Sequence, residues 1–260
     1  MRKMMFGFMA LLMCIAMISC DNKKSQLKKA AEQANLECPF EMGAVGSVTS
    51  ITYDEDNNTF IYEYDMKEDF NNVQILSDHL DLMKESMMVT ISNDTEGLRK
   101  MADLIIDAEG SLKFIYHGLK TGATMNLTLN TEELKTALNL ETTKLDALKM
   151  EIDMTNLQMP MQIAQGLQVT SIRIIGNDVT YICEMDPNLY NLSQLQENAD
   201  NAKNGIINFL LSSGPVERIF ITKVIDAGLN LAYRYCYAGD LEGESFIVTL
   251  TNDELRGFMK

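Results

Sequence analysis

The segment Val48–Asp65, VTSITYDEDNNTFIYEYD, returns 121 residues later as Val169–Asp186, VTSIRIIGNDVTYICEMD. At that offset Asn35 pairs with Asn156, Leu36 with Leu157 and Pro39 with Pro160. Val48-Thr49-Ser50-Ile51 repeats as Val169-Thr170-Ser171-Ile172, and Thr59, Ile61, Glu63 and Asp65 meet Thr180, Ile182, Glu184 and Asp186. These are 11 identities over 31 ungapped positions. The offset slips to 119 where Ile106-Asp107-Ala108 meets Ile225-Asp226-Ala227, and returns to 121 where LTLNTEEL (Leu127–Leu134) meets VTLTNDEL (Val248–Leu255). Compensating slips of this kind fall in loops and helix joints, where insertions are tolerated. The chain therefore reads as a tandem duplication of a domain-sized module.

Each copy sharpens the reading of the other. Both quoted segments predict a β-hairpin, turning at Asp56-Asn57-Asn58 and at Gly176-Asn177-Asp178. In the second strand Phe60, Tyr62, Tyr64 and Met66 alternate with Ile61, Glu63 and Asp65, so one face is apolar. Val73, Leu76, Leu80, Met83 and Met87 then step as one amphipathic helix, with Leu192, Leu195, Ala199, Ala202, Ile206 and Phe209 as its counterpart. A second helix is expected near Thr95–Asp107 and, after Gly214-Pro215, near Val216–Ala227. Two strands follow in each copy: Leu112–Tyr116 with Met125–Leu129, and Leu231–Tyr235 with Phe246–Leu250. A short helix with a capping box closes each, Asn130 with Glu133 and Thr251 with Glu254. Leading helices are read around Leu27–Ala34 and Lys144–Met154.

The expected fold class is α+β, with two homologous modules in the order (α)ββααββα. Each is an antiparallel four-stranded sheet with helices on one face and no parallel crossover. The expected boundaries are a signal segment at 1–19, a tether at 20–25, a first module at 26–139 and a second at 140–260, joined by a linker helix about 144–154.

The N-terminus carries Arg2 and Lys3 and then an apolar run from Met4 to Ile18, too short for a bilayer-spanning helix. It ends in Met17-Ile18-Ser19-Cys20, which resembles the lipobox of bacterial lipoproteins. That resemblance implies cleavage between Ser19 and Cys20 and diacylglycerol on the Cys20 sulfur. Met17 departs from the family's usual Leu. Asp21 after the cysteine resembles the inner-membrane retention signal of enteric lipoproteins, and Lys23 and Lys24 break the acidic run of the Bacteroides-type surface-export signal; both resemblances imply a domain facing the periplasm. ANLECPF before the aromatic IYEY strand resembles the opening of lipoproteins of Bacteroides-type bacteria, which implies a source and a compartment but no activity.

Removing residues 1–19 takes away Arg2 and Lys3, leaving 20 basic and 37 acidic side chains and a net charge of −17. Such a chain repels phosphate backbones and anionic head groups, so nucleic acid is excluded as a partner and attachment falls to the lipid. Besides Cys20, the mature chain carries Cys38, Cys183 and Cys236. Cys183 shares the apolar face with Tyr181 and Met185, whereas Cys236 lies opposite Leu231, Tyr233 and Tyr235. The two are read as free thiols.

The candidate binding residues are the repeated carboxylate pairs Glu63/Asp65 and Glu184/Asp186. Carboxylates at i and i+2 of a strand point to one side and suit acid–base work or a hard cation. The bland alternative is the solvated face of a half-exposed sheet. His79 and His117 have no histidine counterparts, and no zinc, haem, serine-hydrolase or phosphate-loop motif occurs, so no metal or cofactor is expected. Met150, Met154, Met159 and Met161 cluster, which suits soft-metal ligation less well than apolar packing. The expectation is a non-enzymatic, lipid-anchored envelope protein whose modules bind an envelope protein partner. The alternatives are an envelope hydrolase with a carboxylate site at the module junction and a small-ligand carrier.

Overall fold

The computed structural model describes residues 22–43, 45–68, 72–94, 97–212, 214–241 and 243–259. The expected signal segment at 1–19, with Ser19, and the candidate lipidation residue Cys20 lie outside them. The chain divides into two units between Thr142 and Thr143.

The first unit opens on α1 (Lys23–Asn35), where the Asn22 side chain accepts the Lys24 N–H at 2.8 Å. Residues 23–25, read from the sequence as part of a tether at 20–25, belong to this helix. Then follow β1 (Phe40–Glu41), β2 (Gly46–Asp54) and β3 (Thr59–Met66). Where one helix was expected, two short ones occur, α2 (Val73–Ser77) and α3 (Leu80–Asn93), broken at Asp78-His79. The unit finishes with α4 (Leu98–Asp107), β4 (Ser111–Gly118), β5 (Thr124–Leu129) and α5 (Thr131–Asn139).

The sheet corrects the expected one in two ways. It has five strands, ordered β1-β2-β3-β4-β5, because a two-residue strand follows the cis Cys38-Pro39 bond. It is also mixed, since β3 and β4 are parallel, from Thr59↔Ser111 to Met66↔Gly118. The three intervening helices return the chain to the end where β3 began, so a crossover does occur. The parallel register sets aromatic rings side by side. Tyr62 stacks on Phe114 at 5.6 Å and Tyr64 on Tyr116 at 5.0 Å between ring centroids. Those rings, with Phe60, Leu112 and Leu127, lie buried under the helices. Each such large side chain removed from water contributes about 1.5–3 kcal/mol. The opposite face, including Ile61, Glu63, Asp65, Lys113 and His117, is only half-buried.

The second unit contains α6 (Lys144–Asn156), β6 (Met161–Ala164), β7 (Leu167–Ile175), β8 (Asp178–Met185), α7 (Leu192–Glu197), α8 (Ala199–Ser212), α9 (Pro215–Asp226), β9 (Asn230–Tyr237), β10 (Ser245–Leu250) and α10 (Asn252–Phe258). Its sheet runs β6-β7-β8-β9-β10, with β8 and β9 parallel and Tyr181 stacked on Tyr233 at 5.0 Å. The same helix break recurs at Asn198, whose φ −111° and ψ 34° resemble the −125° and 44° of His79. Both expected capping boxes are formed.

The second helical stripe differs from expectation. Leu192, Ile206 and Leu210 are buried, whereas Phe209 is 58% exposed. Three apolar residues in a row, Phe209-Leu210-Leu211, cannot all face inward at 100° per residue, and Leu210 takes the core position. Leu148 and Ile152 fill the core from α6, leaving Met150 and Met154 half-buried, while Met159 packs against the core.

Candidate functional site

The sheet register decides which carboxylates correspond between the two units. Ile51 pairs with Tyr62 and Ile172 with Tyr181; Ser47 pairs with Asp65 and Gln168 with Glu184. The two third strands are therefore related by 119 residues, not 121, because the first hairpin turns through Glu55–Asn58 and the second through Gly176-Asn177 alone. Asp54 supports the longer turn, its carboxylate accepting the N–H groups of Asp56 and Asn57 at 3.0 and 3.1 Å. A slip of two preserves the face of a strand, so the sequence match looked correct although its register was not.

This changes the candidate site. Glu63 occupies the position of Ile182, and Asp186 that of Lys67. The repeated Glu-x-Asp pair is not structurally repeated. One carboxylate position is kept, with Asp65 in the first unit and Glu184 in the second, each next to the terminal Met of its strand.

Around that position the neighbours differ. Asp65 lies between Ser47 on β2 and His117 on β4, and His117 Nδ1 is 3.2 Å from Thr124 Oγ1 on β5. Glu184 lies between Gln168 on β7 and Cys236 on β9. It lines an open groove of 290 Å³ with Gln162, Gly166, Gln168, Asp186 and Pro187. The other two candidates have local partners. Glu63 accepts the Ser50 hydroxyl at 2.9 Å. Asp186 accepts the Asn188 N–H at 2.8 Å and its side-chain amide at 2.9 Å, holding the turn after β8.

Both thiols of the second unit are buried and free, on opposite faces of the sheet. Cys183 belongs to the core, where burial pushes its pKa up to about 12. Burial also raises Cys236, as do the Glu184 and Asp240 charges, against the opposing Arg234. Neither is an activated nucleophile. Among the described residues, no three His, Cys, Asp or Glu side chains converge on a metal-sized site. His79 is exposed at the helix break.

The site is thus a half-open sheet face with a carboxylate on its middle strand, flanked by Ser47 and His117 in one unit and by Gln168 and Cys236 in the other. Hydrogen bonding and charge recognition are within its chemistry. Sequence reasoning missed the flanking residues because they lie on other strands; the 119-residue offset later in the chain was the available signal.

A family described as a domain of unknown function (DUF8479) matches residues 21–126, which fall within the first unit. No curated protein matches the chain significantly. A solved structure, that of a presumed secreted protein of Pseudomonas aeruginosa, is similar over 45% of this chain and 100% of its own. The identity is 11% and the TM-score 0.35. No described helix is long and apolar enough to cross a membrane.

Proposed function

We propose that this is a lipid-anchored protein of the cell envelope of a Bacteroides-type bacterium, built by tandem duplication, with a non-enzymatic binding or assembly role towards an envelope protein. The observation that carries the reading is the position of the first described helix. Asn22 caps the first helix two residues after Cys20, so a lipid on that cysteine would hold the first unit close to the bilayer, facing the periplasm. The duplication is supported by the shared pairing order, the shared bulge between Val48/Ser50 and Val169/Ser171, and the paired helix breaks. The binding role is supported by sheets covered by helices on one face, with differing residues around Asp65 and Glu184 on the other. The carboxylates displaced from their ordinary range among the described residues, such as Glu68 and Glu254, are held low by hydrogen bonds rather than raised as a general acid requires.

The test is in-cell crosslinking with mass spectrometry on the tagged protein, with Cys20→Ala as the anchoring control. The expected result is membrane retention that depends on Cys20, and a specific envelope partner lost on Asp65→Arg or Glu184→Arg. Retention without any partner would overturn the binding role.

A further inference from the structure

The two units furnish the same end of their sheets differently. Lys67 and Asp186 take equivalent places after the middle strand: the Lys67 N–H donates to the Val45 carbonyl at 3.0 Å, and the Asp186 N–H to the Gly166 carbonyl at 2.8 Å. In the first unit that place holds an ammonium group. Lys67 Nζ donates to the Gly43 carbonyl at 2.7 Å and lies 3.4 Å from the Glu41 carboxylate. The next residue, Glu68, spans to the β4–β5 loop, accepting the N–H groups of Lys120 and Thr121 at 2.8 Å each. The second unit has Asp186 and Pro187 instead, so it supplies neither the cation nor the bridging carboxylate. What stands there is the 290 Å³ groove, lined by Glu184 and Asp186 but by no lysine or arginine.

We infer that this groove receives a primary ammonium group from outside the chain, in the part that Lys67 plays for the first unit. The inference rests on the binding reading and gives the bound group its chemistry. The charged groups of the groove are acceptors only, which selects a donor. Among the described residues no hydrogen-bond donor reaches the Glu184 carboxylate. Asp186 receives both Asn188 donors on Oδ1 and keeps Oδ2 open. Gln162, standing where the first unit has Glu41, donates its amide to the Ala164 carbonyl at 3.0 Å and keeps its side-chain oxygen as an acceptor. Leu167, Pro187 and Ala238 offer an apolar wall to an alkyl stem such as that of lysine. A hard divalent cation needs six or more oxygens, and among the described residues no three acidic, His or Cys side chains converge to begin such a shell.

The probe is lysine blocked at both backbone ends, titrated into the full lipidated chain in detergent and followed by saturation-transfer NMR. Blocked lysine is expected to bind, and its Nε-acetylated form about tenfold more weakly or not at all. E184Q should weaken binding by a similar factor, and D186K, which supplies the first unit's lysine in place, should abolish it, while circular dichroism verifies both folds. No transfer to blocked lysine, or equal binding of the acetylated form, overturns the ammonium site. Displacement by an equimolar amount of calcium assigns the groove to a metal and also overturns it. Butylamine distinguishes the sources: weaker binding than blocked lysine supports a lysine side chain of a protein, and equal binding supports a free amine at the same site. Blocked lysine that binds while no crosslinked partner depends on Glu184 upholds the ammonium site and defeats the partner reading alone.

Discussion

Asn156 holds Ile172 by both sides of its backbone: its side-chain oxygen accepts the Ile172 N–H at 2.8 Å, and its amide donates to the Ile172 C=O at 2.9 Å. Asn35 accepts the Ile51 N–H at 2.9 Å in the first unit. β1 and β6 pair with the beginning of β2 and β7 only, as far as Val48 and Val169. Beyond them the edge of the long strand would lack a neighbour, and the asparagine at the end of the leading helix takes the place of a missing peptide.

Replacing Asn156 with Ala strands both groups of Ile172, and replacing Asn35 strands the Ile51 N–H. Each is expected to destabilise its own unit by about 1–3 kcal/mol, with the Asn156 effect the larger. Urea unfolding of the two variants measures it, and equal stability to the parent would refute the bridging role.

Gly46 has φ +144°, and a Cβ built there would lie 1.9 Å from the Asp65 carbonyl oxygen. Gly122 has φ +71° with nothing within 4 Å. Gly46→Ala is therefore expected to lower the urea midpoint more than Gly122→Ala, whose cost is the left-handed strain of about 1–2 kcal/mol alone. The comparison isolates the close approach of β2 to β3 from backbone preference.

The thiols should react in a fixed order. Burial raises the pKa of all three thiols, but Cys38 is only half-buried while Cys183 and Cys236 are fully buried. Under native conditions at neutral pH, alkylation followed by mass spectrometry should mark Cys38 first. The other two should become reactive only as the second unit unfolds. Rapid native labelling of Cys236 would show that the open sheet face is not closed over it.

Acid should weaken both capping helices. Burial pushes the Glu133 carboxyl up, but hydrogen bonds from Lys84 at 2.7 Å and from the Asn130 N–H outweigh it and hold the pKa low. Lys203, at 2.7 Å, and the Thr251 N–H hold Glu254 low in the same way. Carboxyls depressed on folding contribute stability above their unfolded pKa of about 4.3 and lose it as pH falls through the folded value. Urea midpoints should fall below about pH 4–5, and Glu133→Gln with Glu254→Gln should flatten that fall. The screened, partly exposed pairs make the effect modest.

Much of the local structure was legible. The alternation of Phe60, Tyr62 and Tyr64 marked a half-buried strand, Asn130 and Glu133 marked a helix start, and Gly176-Asn177 marked a turn. Asn35 and Asn156 were visible as a repeated identity, yet their purpose needed a strand edge sixteen residues away. Phe209 was misplaced because periodicity cannot choose among three adjacent apolar residues; packing against the sheet chose Leu210. The carboxylate pairs were misaligned because a two-residue change in a turn leaves every side chain on its expected face.

By itself the sequence determined that the chain repeats one α+β arrangement, where its strands and helices lie, and the strongly acidic charge of its surface. These follow from local periodicity, turn chemistry and composition. Only the tertiary structure decided that β3 pairs in parallel with β4, that a fifth strand completes each sheet, and that Asp65 corresponds to Glu184. Those depend on how far three helices carry the chain back and on which rings then stack across the strands. Such distances and contacts belong to no single segment.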